Sequence, residues 1–123
     1  MKSKRVDKAR ALINSAIRIN DEAIMIFSKS SNPMNIADMV WEAYSKLEHA
    51  IILLKLDLGV EFSQRQESLE DPSDVGGLLV KASDNLVNAL NKMDSDLHEV
   101  LMNSRSARDA LKLALFQIEK GNL

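Results

Sequence analysis

The sequence contains no cysteine. That absence excludes a disulfide framework, a thiol nucleophile and any cysteine-ligated metal, and it fits a chain working in a reducing cytoplasm. Proline occurs twice and glycine four times, and only Phe27, Trp41, Tyr44, Phe62 and Phe116 are aromatic. β-rich domains draw on turn residues and cross-strand aromatic pairs, so this scarcity favours helices. Long apolar runs are missing as well. The most apolar stretch, residues 50–60, carries Lys55 and Asp57 and falls well short of the roughly 20 residues that span a bilayer. The opening M-K-S-K-R-V-D-K-A-R is charged and lacks the apolar stretch of a secretory leader. The expectation is a cytoplasmic protein without membrane contact.

Catalytic constellations are equally scarce. The two histidines, His49 and His98, are preceded three residues earlier by Lys46 and Ser95. The Glu-x-x-His pairs of a metal-binding bundle core are therefore absent. Gly76–Gly77 has none of the context of a phosphate-binding loop, and no strained nucleophile turn supports a Ser–His–Asp triad. No catalytic residue, no metal and no cofactor is expected, and the balance is against an enzyme. Lys2, Lys4, Arg5, Lys8 and Arg10 cluster without interleaved aromatics in a chain of net charge −2, so nucleic acid is not an expected partner.

What is present is periodic hydrophobicity. With 123 residues, 46% of them apolar and 28% charged, the chain has the composition of one globular domain, 1–123. Val6, Ala9, Ile13, Ala16, Ile24 and Phe27 repeat at three- and four-residue spacing, with Asn20 in a position on that seam. Ile36, Val40, Ala43, Leu47, Ile51, Leu54 and Leu58 form a second seam, closed by Gly59 as a candidate left-handed cap. Met39, Trp41, Ile52, Leu53 and Leu56 widen that second stripe, which predicts a central helix with more than one neighbour and an interaction surface. Residues 60–77 fit no period and read as a mobile linker between two helical hairpins.

Beyond that linker the seam runs through Leu79, Ala82, Leu86, Leu90, Met93, Leu97, Val100, Ser104, Ala107, Leu111, Ala114 and Ile118. It contains no proline and no glycine. Asn103, Ser104 and Ser106 are poor interior helix formers, and Ser106 followed by Asp109 resembles a helix start. The fold expected is an all-α, antiparallel up-and-down bundle of four helices at about 3–30, 35–58, 78–103 and 106–120. The alternative is three helices with one long C-terminal helix.

A helix starting at Ser106 would offer free backbone N–H groups beside Arg105, Arg108 and Lys112, which share one helical face. Ser104, Arg105, Ser106, Arg108 and Lys112 are thus candidates for holding a phosphate, a nucleotide or another small anion. The leading functional expectation is different. It is a helical interaction or structural protein that self-associates as a homo-oligomer or pairs with another helical protein.

Overall fold

The computed structural model describes residues 3–30, 33–59 and 74–120. Four α-helices account for nearly all of them: α1 (Lys4–Ser30), α2 (Ala37–Leu58), α3 (Val75–Asn91) and α4 (Leu97–Glu119), with a short 3₁₀ turn (Pro33–Ile36) leading into α2. No strand occurs among the described residues. The buried residues follow the predicted seams, except that on α1 Ala23, and not Ile24, takes the fully buried place. Ile13, Leu47, Ile51, Leu54, Leu78, Leu79, Leu86 and Leu111 are fully or almost fully buried. Between them, alanines 9, 16, 23, 43, 50, 82, 89, 107 and 114 are fully buried too, and these small side chains let the helix backbones approach closely.

Helix ends follow local chemistry. Gly59 adopts φ +70° and its N–H returns to the Lys55 carbonyl, so α2 ends where a left-handed cap was expected. Asp74 Oδ1 accepts from the Gly77 N–H at 2.8 Å and caps α3. Asp96 Oδ1 accepts from the Glu99 N–H at 3.2 Å and caps α4. Asn35 does not cap α2. The capping position falls on Ile36, without a side-chain hydrogen bond, because the 3₁₀ turn takes up Asn35.

Two expectations about the second half are corrected. The chain turns at residues 92–96, and not at 103–106, so neither a break at Ser104 nor one unbroken helix from 78 to 120 is found. Met93 plugs the turn from inside, and the Ser95 and Asp96 N–H groups both return to the Lys92 carbonyl. Of the expected linker 60–77, residues 60–73 lie outside the described residues. Asp74 is a cap and Val75–Gly77 begin α3.

The four helices close a square. α1 packs against α2 and α3, and α4 packs against the same two, which leaves α2 and α3 on a diagonal. Arg10 near the start of α1 meets Asp94 just after α3, at 2.8 Å. Phe27 near the end of α1 lies against Gly76 at the start of α3. α1 and α3 are therefore antiparallel, and α2 and α3 run in the same direction. All neighbouring pairs are antiparallel, as expected of the bundle, but the chain visits them in the order up, down, down, up. α2 ends and α3 begins at opposite ends of the bundle, and α4, not α3, is the second neighbour of α2.

Candidate binding face between α2 and α4

Because α2 and α4 are antiparallel neighbours, Trp41 near the start of α2 comes level with Leu115 and Phe116 near the end of α4. Trp41 stacks on Tyr44, one turn further along, with ring centroids 5.5 Å apart and planes 25° from parallel. Trp41, Tyr44, Lys112, Leu115, Phe116 and Glu119 line a largely apolar hollow of about 430 Å³. A second depression of about 340 Å³ lies on the other side of Trp41, towards Ala37 and Ile118. Trp41 is 58% exposed and Phe116 52%. Two large aromatic side chains of one small domain thus stay in water side by side, an arrangement that marks interaction sites.

Further along the same seam the chemistry turns ionic. Arg108 donates from Nη1 to Glu48 Oε1 on α2 at 3.1 Å, and from Nη2 to Asp109 Oδ1 at 3.2 Å. Lys55 is buried on α2 near Arg105 and Arg108. Burial lowers its pKa below the usual lysine value, and repulsion from Arg105 and Arg108 adds to this, against an opposing pull from Glu48. Burial raises the pKa of the Tyr44 hydroxyl, Glu48 raises it further, and Arg108 opposes the rise.

The lowered lysine value has a consequence for stability. Folded Lys55 holds its proton less tightly than the unfolded chain does, so stability rises with pH as folded Lys55 deprotonates, up to the ordinary value of 10.5. Urea unfolding of wild type and Lys55→Met should show the wild type gaining on the variant as pH rises towards that value. A constant difference across the range would place the ammonium group in water.

The structure sorts the sequence candidates. Arg105, Arg108 and Lys112 share the flank of α4 that faces α2. Ser104 is fully buried in the core, its Oγ without a hydrogen-bond partner. Ser106 is exposed and points away, since two residues correspond to roughly 200° around a helix. The stretch lies inside α4, so its N–H groups belong to the helix and form no anion-binding end. Arg108 is already held by two carboxylates. Of the apolar candidates, Trp41, Ile52 and Leu56 are exposed, while Met39 and Leu53 lean on the core. The wide stripe of α2 thus faces solvent and does not meet a third neighbour. Tyr44, Glu48 and Phe116 join the site unforeseen. The Trp41–Tyr44 spacing of three residues is a sequence signal for Tyr44 alone.

Both histidines are exposed, and no group of three metal-ligating side chains converges among the described residues. No helix among them is long and apolar enough to cross a membrane. Comparison of the chain with known protein families, with curated proteins and with solved structures finds no match.

Proposed function

We propose that this protein acts by binding, as a helical interaction module whose α2–α4 face receives an apolar helix from another subunit or another helical protein. The observation that carries this reading is the exposed hollow between Trp41 and Phe116, apolar at its floor and edged by Lys112 and Glu119. Aromatic residues on a rigid scaffold lose little side-chain freedom on binding and dominate interface energies. The four-helix square supplies that scaffold, with Leu111, Ala114 and Ile118 buried behind the hollow.

Trp41 is the only tryptophan, so its emission reports on this face alone. Titration with a synthetic amphipathic helix, leucine on one face and mixed lysine and glutamate on the other, should shift the emission to shorter wavelength and saturate. Phe116→Glu should remove the shift while leaving the helical circular dichroism unchanged. An emission spectrum indifferent to the peptide would overturn the proposal.

A further inference from the structure

We infer that the occupant of this face is a second copy of the chain, paired α4 against α4 in antiparallel fashion about a two-fold axis near Phe116. The inference rests on the docking reading above and deepens it by naming the partner. It comes from the order of charges around Phe116. Lys112 and Glu119 lie roughly 40° and 60° from Phe116 on the flank facing α2, while Asp109 and Lys120 lie roughly 20° and 40° away on the other flank. When two copies of one helix pair antiparallel about a two-fold axis, each flank meets the same flank of the second copy, in reversed order. With Phe116 opposite Phe116, Lys112 of one copy comes within one residue of Glu119 of the other. On the far flank Asp109 comes within three residues of Lys120, within the reach of a lysine side chain. Nearest Phe116, each flank thus sets one cation against one carboxylate of the second copy, Asp109 being shared with Arg108 of its own chain. An unrelated helix would match this pattern by chance; a second copy matches it by construction.

The apolar part fits the same axis. Trp41 lies beside Leu115, so the tryptophans of both copies approach the axis, and the hollow between Trp41 and Phe116 of each copy takes an aromatic ring of the other. In the single chain Lys120 Nζ rests 4.6 Å from the centre of the Phe116 ring, which partly shields it from water. Pairing releases this ammonium group towards Asp109 of the second copy. The contact is one helix face wide, at the small end of specific interfaces, so the dimer forms in the micromolar range or weaker.

Sedimentation velocity of the full chain, up to a concentration of about 1 mM, tests this. Wild type should show a concentration-dependent monomer–dimer equilibrium. Lys112→Glu and Glu119→Lys each turn two symmetric attractions into repulsions and should weaken the dimer about tenfold. The double reversal should recover most of that loss, and Phe116→Glu should leave monomer. The three positions tested, Lys112, Phe116 and Glu119, are exposed at the surface, so the thermal midpoint should hold and separate lost pairing from lost folding. A monomer at every concentration that still binds the synthetic helix overturns the second copy and leaves the docking reading standing. A monomer that binds no helix overturns both. A dimer indifferent to Phe116→Glu, or not recovered by the double reversal, pairs through another face and overturns the inference.

Discussion

Replacing Ala107 by proline is expected to abolish the cooperative thermal transition, while Leu97→Pro should keep it, both read by circular dichroism. Ala107 lies in the middle of α4 and is fully buried. Proline there removes a hydrogen bond and strikes the preceding turn, at a cost of about 3 kcal/mol or more. Its ring also enters a packed core, which adds about 1–3 kcal/mol. Together these approach the lower end of the roughly 5–15 kcal/mol that holds a small domain folded. Leu97 is the first residue of α4, directly after the Asp96 cap. Proline is welcome at that position, and the backbone of Asp96 (φ −153°, ψ 92°) already lies outside the helical region that a following proline disfavours. The change costs only the packing of a half-buried leucine, about 1–2 kcal/mol. Had the chain turned at Ser106, Ala107 would be the tolerant position, so a folded Ala107→Pro variant would refute the observed turn.

The misplaced turn shows which signals a seam conceals. Ser104 and Ala107 keep the apolar phase of Val100 and Leu111, and Asn103 and Ser106 look like end residues. Propensity is a weak preference that burial overrides, and both flanking residues sit in α4 because Ser104 and Ala107 face the core. The true start carried a signal in plain view: Asp96 followed three residues later by Glu99, after the polar run Asp94–Ser95–Asp96. It was masked because Met93 and Leu97 also keep the phase across the turn. Gly59 and the core seams were readable because each depends on neighbours in sequence. The α2–α4 face was not. Trp41 reads as part of an interaction surface and Lys112 as an anion-binding candidate, but only the pairing of α2 with α4 places both on one hollow. The same adjacency commits Arg108 to Glu48, which the sequence offered as a free grip for anions.

The opposite side of the bundle is closed by polar clasps, and breaking one gives the second large effect. Asn20 is fully buried on α1 and its Nδ2 donates to the Leu79 carbonyl of α3 at 2.8 Å. One turn along, Ser83 Oγ donates to Asp21 Oδ1 at 2.8 Å. Asn20→Asp exchanges the donor for a carboxylate that faces a carbonyl oxygen without water. A buried charge left without a partner costs about 3–5 kcal/mol, so the urea midpoint at neutral pH should fall steeply. Burial would raise the pKa of the new carboxyl, so the folded variant binds a proton that its unfolded chain lacks. The sign follows: its stability increases as pH falls towards about 4, the ordinary carboxyl value, and gains nothing below it. Once protonated, the carboxyl regains an O–H that can donate to the Leu79 carbonyl. Asn20→Leu, which introduces no charge, should show none of this pH dependence, and its deficit should stay within about 1–2 kcal/mol because the Leu79 carbonyl keeps its helical bond within α3. An Asn20→Asp variant as stable as wild type at neutral pH would mean that water reaches position 20. The α1–α3 side would then be as open as the face that carries Trp41 and Phe116, and the asymmetry on which the proposed docking at α2 and α4 rests would be gone.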